Sequence, residues 1–421
     1  MACDCTVISG PALVTWRGYS FRTKGDVTIA KETALTPVTV DSAGVTDQRV
    51  NLVRHVIGFT PAGALDDISS LFADFGASVT TERQPGQSLF KWSSLTITAY
   101  ATADAGAATT ITVSSTSGMV VGQYVTISGS STAGYNGTWR IETVTSGTQL
   151  KLAVAYTVDP TTDGTLYYSD ALVIYPLYQS GGTEKIITYQ NVALTSLPSM
   201  TFSATETILG AVSFTAIYHK KLEPDAVDAL VDYRTWTAPS AGDLNDFVPE
   251  KILTIPPRMR YGAASVDAFT PSDPLAAPWN DFCTVAGATV SFSLGTTDHV
   301  VDSCGLVDIK YTDLTVTVTA QPVGELMTDE EIQKALRQQD MGGAYEGRKR
   351  GASMKAGTPN QLKMLMDDGN ESIQITINST AISAAAANYG VTTLRNGDLL
   401  WQGLRTFTSG VRDNIIAISV T

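Results

Sequence analysis

Two loop-like segments of this chain carry the same set of polar residues and are its first candidates for chemistry. They are residues 40–47 and 301–308, and each holds an Asp-Ser pair, then a glycine, then a second aspartate. Paired carboxylates can act as general acid and general base. The same residue types also shape turns, since Asp and Ser side chains bond nearby backbone amides and glycine tolerates positive φ. Because the chain repeats the set at turn positions, we interpret it as loop-shaping and subunit-contacting rather than catalytic.

A short basic run at residues 348–350 is a second candidate contact. The run could bind phosphate, but in an acidic chain a solvated loop or an inter-subunit salt bridge explains it better. The residues that we predict at contacts between subunits are Asp41, Ser42, Gly44, Asp47, Asp302, Ser303, Gly305, Asp308, Arg348, Lys349 and Arg350.

The sequence contains few other residues that are suited to catalysis. Its three histidines, His55, His219 and His299, are scattered along the chain. No HExxH, GxSxG, Walker loop or GxGxxG followed by a helix is present. Residues 367–371 are too short for a calcium loop and are better explained as a tight turn. We therefore expect no enzyme activity, no cofactor and no metal site.

The composition is acidic and contains few charged residues. The formal net charge is −13 and the isoelectric point is about 4.7, which argues against wrapping nucleic acid by neutralising phosphates. Only 16% of residues are charged and 43% are hydrophobic, so we expect much of the surface to be buried against other subunits. There is no apolar run of about 18 residues and no N-terminal export signal, and four cysteines fit reduced thiols. We expect no membrane insertion and synthesis in a cytoplasm.

The two polar loops belong to a longer internal duplication. Residues 28–65 fall on 289–326 at an offset of 261 (305 − 44), without a gap. Residues 184–191 fall on 371–378 at an offset of 187 (378 − 191). The offsets differ by 74 (261 − 187), which predicts an insertion of about that size in the first copy. Residues 99–169, rich in Thr, Ser and Gly, are the candidate.

Apolar alternation predicts strands through most of both copies. A flanking helix is predicted after each Pro-x-Gly turn, at residues 65–72 and from Thr328, and another at 223–231. Residues 340–370 are predicted as a long exposed loop. The expected fold is mainly β, with two tandem β-sandwich or partial-barrel domains, each with a flanking helix, plus a small all-β insert. The predicted domains are 1–98 with 170–235, the insert 99–169, a proline-rich bridge 236–284 and the second domain 285–421.

The order of strand, polar loop, long strand, Pro-x-Gly turn and helix resembles the tail tube proteins of long-tailed bacteriophages. The stretch from Ile187-Thr-Tyr-Gln-Asn191 to Gly210-x-Val-x-Phe-Thr-Ala-Ile217 looks like the same family. The resemblance covers residues 15–98 and 170–220, and residues 285–421 more loosely. It implies two tail-tube-like domains whose sheets join a continuous β-lined ring, and rings that stack into a hollow tube.

The family also implies a role for the two polar loops. The long loop after the first strands contacts the next ring in that family, and residues 40–47 and 301–308 occupy that place here. The usual member has one such domain and forms hexameric rings. Two domains in one chain point instead to homotrimeric, pseudo-hexameric rings, with a homohexamer as the alternative.

The resemblance implies a structural virion protein of the tail, assembled in the host bacterial cytoplasm. Its partners would be itself, the tape-measure protein and other tail proteins. DNA would pass through the lumen during ejection without specific binding, which an acidic surface favours.

A surface-binding β protein, such as a glycan-binding adhesin or a distal tail component, is the alternative. Tyr135, Trp139 and Tyr156 would then form a stacking platform for sugar rings. The sequence leaves open the number of chains per ring, whether the tail contracts, the host and the role of the insert.

Overall fold

β-Strands dominate the computed structural model of the chain, and the predicted mainly β fold is confirmed. The helix predicted from Thr328 lies outside the described residues. Residues 223–230 of the helix predicted at 223–231 also lie outside them, and its last residue, Val231, begins a strand instead. The described residues are 7–40, 44–63, 65–77, 83–180, 185–203, 207–217, 231–235, 257–263, 280–282, 284–301, 305–322, 360–367, 370–388, 396–405, 407–408 and 411–420.

The first half of the chain contains a strand-rich unit that is interrupted by an insert. The strands before the insert are β1 (Val7–Trp16), β2 (Tyr19–Arg22), β3 (Thr28–Val40) and β4 (Gly44–Phe59). Helix α1 (Leu65–Leu71) follows and leads into a π-type turn, Ala73–Ala77. The insert strands are β5 (Trp92–Ala103), β6 (Ala108–Val113), β7 (Tyr124–Ser128), β8 (Gly137–Ser146), β9 (Gln149–Leu152) and β10 (Thr165–Ser169), with short 3-10 turns at Asp104–Gly106 and Ala133–Tyr135. The strands after it are β11 (Leu172–Ser180), β12 (Lys185–Tyr189), β13 (Val192–Ser196), β14 (Met200–Phe202), β15 (Thr207–Leu209), β16 (Val212–Ile217) and β17 (Val231–Thr235).

The second half repeats this plan without the insert. Its strands are β18 (Arg258–Ala263), β19 (Asn280–Phe282), β20 (Thr284–Val301), β21 (Gly305–Pro322), β22 (Asn360–Asp367), β23 (Ser372–Asn388), β24 (Asn396–Gly403), β25 (Phe407–Thr408), β26 (Val411–Arg412) and β27 (Ile416–Val420).

The β3–β4 hairpin and the β20–β21 hairpin have the same register. Each residue pair of the first, moved on by 261 positions, is a residue pair of the second; Thr28 lies opposite Gly58, and Thr289 lies opposite Thr319. The two β-bulges of the first hairpin have counterparts at the equivalent positions of the second. A bulge bends a strand and increases its twist, so the two hairpins share their shape as well as their sequence pattern.

The strand order of the two copies is also the same. One sheet of the first copy runs β13-β16-β4-β3, and β23-β24-β21-β20 run in the same order in the second. The register repeats as well, because Phe214 of β16 lies opposite Ile57 and Trp401 of β24 lies opposite Val318. The other sheet runs β17-β12-β11-β1-β2, matched by β27-β23-β22-β18-β19.

The sequence-based boundaries differ from the structure in the second copy. Strands β18 and β19 lie in the predicted bridge 236–284, yet they occupy the places of β1 and β2. Strand β22 lies in the predicted loop 340–370 and buries Leu362, Met364 and Met366. Strands β18 and β19 are short, so their alternation is too brief to separate them from loop. Strand β22 has eight residues, but it buries every position from Leu362 to Met366 and so lacks the alternation of a half-exposed strand.

Helix α1 forms where predicted and closes one side of the core. Leu65, Ile68 and Leu71 are buried on one face. The Asp67 carboxylate accepts hydrogen bonds from the Gly63 amide at 3.0 Å and from the Tyr19 hydroxyl at 2.9 Å. Burial, followed by the charge of Asp67, raises the pKa of Tyr19, so the phenol stays a donor. These bonds fix the start of the helix against β2.

The insert is a closed barrel in the order β10-β5-β6-β9-β8-β7. Its first and last residues, Trp92 and Ser169, lie opposite each other on neighbouring strands, so the insertion leaves and re-enters the first copy at one place. Gln190 then fixes the base of the barrel: its amide donates to the Gly122 carbonyl at 2.9 Å and accepts from the Tyr124 amide at 3.0 Å. The barrel therefore has a set orientation on the first copy.

Candidate subunit-contact interface

Four of the eleven predicted contact residues lie within the described residues, and all four belong to the long strands β4 and β21. Gly44 and Gly305 begin β4 and β21, and the backbone of Asp47 lies within β4. Asp308 lies in β21, and its side chain forms an ion pair with Lys310. The predicted contact residues outside the described residues are Asp41, Ser42, Asp302, Ser303, Arg348, Lys349 and Arg350.

The Asp308 carboxylate is paired with two neighbouring side chains. Its carboxylate accepts a hydrogen bond from the Ser88 hydroxyl at 2.5 Å and pairs with the Lys310 ammonium at 2.6 Å. Ser88 belongs to the first copy and Asp308 to the second, so this aspartate contributes to the junction between the two copies.

The loop around Ser88 extends this contact through the backbone. The Gly86 amide donates to the Tyr311 carbonyl at 2.8 Å, and the Tyr311 amide donates to the Gln87 carbonyl at 2.9 Å. The Leu89 amide donates to the Ile309 carbonyl at 2.9 Å. The first copy therefore adds a short extended segment to the outer end of β21, which the sequence analysis did not foresee.

A second backbone seam joins β14 of the first copy to β20 of the second. Met200, Thr201 and Phe202 pair antiparallel with Val290, Thr289 and Ala288. The two threonine hydroxyls lie 3.2 Å apart, within hydrogen-bonding distance. Because Met200 and Val290 are both fully buried, the seam belongs to the core and not to a surface contact.

Gly287 permits the close approach of these two strands. Its φ is +83°, and a Cβ at this position would lie 1.7 Å from the Phe202 carbonyl oxygen. Only glycine adopts such a φ readily and leaves that space empty. An isolated glycine in a strand pattern signals close approach of another backbone, and this was the sequence signal available for the seam.

Side chains complete the junction. Phe72, just after α1, packs against Phe292 of β20 with ring centroids 4.7 Å apart. Arg54 of β4 binds Glu32 at 2.6 Å and Asp298 of β20 at 3.0 Å. Helix α1 and the turn after it also contact β27.

The junction is directional. The first copy contributes β14, β4, the loop around Ser88 and helix α1, whereas the second copy contributes β20, β21 and β27. Different surfaces of the same repeated unit meet, which is the definition of a heterologous contact. Such a contact can be repeated from unit to unit in one direction.

A partly buried ion cluster ties the insert exit to the first copy. The Arg17 guanidinium binds Asp170 at 2.5 Å and Asp74 at 2.7 Å, and it lies over the Trp16 ring at 4.2 Å. Burial disfavours ionisation of Asp74, but Arg17, followed by Arg83, more than offsets this and lowers the pKa of that carboxyl. Burial raises the pKa of the Asp170 carboxyl although Arg17 lies beside it. The shared guanidinium therefore ties the exit of the insert to the first copy through two carboxyl groups in different environments.

Of the three rings of the predicted sugar-stacking platform, Tyr135 is buried, whereas Trp139 and Tyr156 are partly exposed. Tyr135 is fully buried and stacks on Tyr100 with ring centroids 4.6 Å apart. Its hydroxyl donates to the Val158 carbonyl at 3.0 Å. Trp139 is half-buried and donates its indole N–H to the Tyr135 carbonyl at 2.7 Å. These rings stabilise the insert, so the glycan-binding alternative loses its central residue.

The described residues show no metal or membrane-spanning feature. No group of three or more His, Cys, Asp or Glu side chains that could hold a metal ion lies within them. His55 is buried and packs edge-on against Tyr189 at 5.7 Å. None of the helices in this part of the chain combines the length and apolar character needed to cross a bilayer.

Comparison with known proteins adds little. No protein-family model and no curated protein matches the chain. Among solved structures, it is similar to a chain of the virion of a native gene transfer agent particle. That match has 12% sequence identity and a TM-score of 0.19, covering 37% of this chain and 99% of the other. A TM-score this low does not establish a common fold, so a functional assignment has to rest on the geometry of the chain itself.

Replacing Gly287 with alanine tests the β14–β20 seam. We expect Gly287→Ala to lower the free energy of unfolding by about 2–4 kcal/mol, through the clash with Phe202 and the cost of positive φ. Gly147→Ala is the matched control, because a Cβ there meets nothing within 4 Å. Urea unfolding measures both variants, and equal midpoints would contradict the close approach.

Replacing Arg17 with methionine tests the ion cluster. Arg17→Met leaves the Asp170 and Asp74 carboxylates without their shared cation, although Asp74 keeps its pair with Arg83. For a partly buried pair we expect a loss of about 1–3 kcal/mol, between the values for exposed and buried pairs. Lys151→Met is the control, because it removes the more exposed pairs with Asp104 and Glu142, and such pairs contribute little. A thermal midpoint that falls equally in both variants would show that the ion cluster contributes no more to stability than an exposed ion pair.

Proposed function

We propose that this chain is a structural virion protein that self-assembles into stacked rings, forming the hollow tail tube of a long-tailed bacteriophage. DNA would pass through the lumen during ejection. The observation that carries the proposal is the directional junction between two copies of one repeated unit. A heterologous contact that is repeated from unit to unit forms a ring when its rotation divides the full turn, and an open filament when it does not; a closed ring is the case proposed for this chain.

The ring would contain three chains. Two copies per chain and three chains give six quasi-equivalent units, which retains the sixfold wall of a single-domain tube. Six chains per ring is the alternative. The insert interrupts only the first copy and has a fixed orientation, so it would appear once per chain as a projection from the wall.

Stacking of rings would use the outer ends of the long hairpins. Strand β14 pairs with β20 only near residues 288–290, and β24 pairs with β21 only at 317–320. Beyond these pairs the hairpin continues to the Val301–Gly305 pair, and Val300 and Val301 are exposed. Exposed valines at the end of a hairpin are suited to contact with another protein surface. The predicted contact residues Asp41, Asp47 and Asp302 would belong to the same contact, whereas Asp308 is already paired within the chain.

The acidic composition favours passage of DNA over binding of DNA. A net charge of −13 would keep a phosphate backbone from adhering to the wall. The tape-measure protein and other tail proteins are the further partners that this role requires. The virion tail would be the location, with assembly in the host cytoplasm.

Negative-stain microscopy of the purified protein tests the proposal. End-on averages should show hollow rings with a six-lobed wall and three projections. Six projections would retain the tube and replace the trimer with a hexamer. Compact monomers across a range of protein and salt concentrations would contradict the proposal and favour a surface-binding protein.

A charged residue at the hairpin tip should separate ring formation from stacking. We expect Val300→Asp to give single rings in place of tubes, since desolvating a carboxylate at a protein contact is costly. Val158→Asp is the control, because Val158 is an exposed valine of the insert and should leave tubes intact. Tubes of normal length from Val300→Asp would show that rings stack through another surface.

A further inference from the structure

The outer edge of β3 is the counterpart of the edge that β14 covers on β20. At the offset of 261, residues 27–29 correspond to residues 288–290. Within the described chain, β3 is the last strand of its sheet, whereas β20 has β14 on one side and β21 on the other. The same strand edge is therefore covered in the second copy and open in the first.

The edge of β3 and the edge of β20 differ in the exposure of one side chain. Ile29 is 40% exposed, whereas its counterpart Val290 is fully buried against the seam. If the two copies contacted each other reciprocally within one chain, the contact would occur twice and Ile29 would be buried like Val290. Within the described residues the contact is therefore made once.

The counterpart of β14 in the second copy follows from the register. In the first copy Ser196 lies opposite Ser213, and Met200 opposite Leu209. In the second copy Ala384 lies opposite Leu400, and Asn388 opposite Asn396. Both pairings have a bulge at the same place, between Leu194 and Ser196 in the first copy and between Ile382 and Ala384 in the second. Residues of β13 and β14 therefore correspond to residues of β23 that are 188 positions later, and residues of their partner strands correspond at an offset of 187.

Asn388 is therefore the counterpart of Met200. Met200 lies opposite Val290 in the seam within the chain, and Val290 corresponds to Ile29. The same contact between units thus requires Asn388 of one unit opposite Ile29 of the next.

We propose that a second copy of this chain pairs the end of its β23 strand with the open edge of β3, with Asn388 opposite Ile29. This inference rests on the proposed ring assembly and names the joint between chains. An open strand edge with an exposed isoleucine readily pairs with another strand, and β-strand addition gains main-chain hydrogen bonds. The occupant is a second copy because this chain already makes the equivalent seam with its own first unit.

The two seams would differ in strength. The seam within the chain buries Met200 against Val290, whereas the seam between chains would place an asparagine opposite an isoleucine. An amide buries less apolar surface than a thioether side chain. The contact between chains would therefore be the weaker seam, and assembly would depend on protein concentration.

Disulfide trapping tests the register. In a full-length chain with Cys3, Cys5, Cys283 and Cys304 replaced by serine, the double variant Ile29→Cys with Asn388→Cys should form bonds between chains. On a non-reducing gel the bonded species should end at three chains for a trimeric ring. The pair Val158→Cys with Asn388→Cys is the control, because both variants carry two added thiols but only one places them at the seam.

A charge substitution tests the same edge without new cysteines. Ile29→Lys should raise the concentration needed for ring formation about tenfold or more, a loss of about 1.4 kcal/mol per seam or greater. Val158→Lys, which places the same charge on an exposed valine of the insert, should assemble as the unsubstituted chain does. Circular dichroism confirms that both variants fold, since Ile29 is exposed in the single chain.

The outcomes separate the joint from the function. Rings that form normally in Ile29→Lys, with no trapped bond in the cysteine pair, would overturn the β3 joint and leave the tube proposal standing. A trapped bond between chains without any ring or tube would support the joint and overturn the tube. Neither rings nor a trapped bond would overturn both.

Discussion

The pairing of β14 with β20 is the contact on which the rest of the molecule depends. A strand edge exposes unpaired N–H and C=O groups, and these groups must find partners when the edge is buried. In this chain the first copy supplies those partners to the second through Met200–Phe202, and Gly287 removes the side chain that would prevent it. Two repeated units thereby share one core.

The two copies have diverged where their surroundings differ. Val290 is buried by the seam within the chain, and its counterpart Ile29 is exposed. These two residues have equivalent positions in the two copies but different environments. Within the described residues, only the second copy has a strand of the other copy paired to this edge. A duplicated unit allows each position to adapt to its own neighbour, which identical units in a ring cannot do.

The insert is tolerated because it disturbs neither copy of the sheet. It leaves and returns through paired residues of neighbouring strands, Trp92 and Ser169. Gln190 and Arg17 then bind its base and its exit to the first copy. An appended domain with both ends together adds no long open loop to the host fold, and its rigid attachment gives it a defined direction.

The sequence alone determined the duplication, the mainly β class and helix α1, because these depend on local residue order: alternation, turn residues and a constant offset. It did not determine that Tyr135 is buried or that residues 258–263 form a strand. It also did not reveal the seams at Ser88 and Met200. Only the tertiary structure decided these features, because the partner of a strand edge is selected by packing between residues far apart in the chain. A local signal such as Gly287 indicates that a backbone approaches closely but not which one.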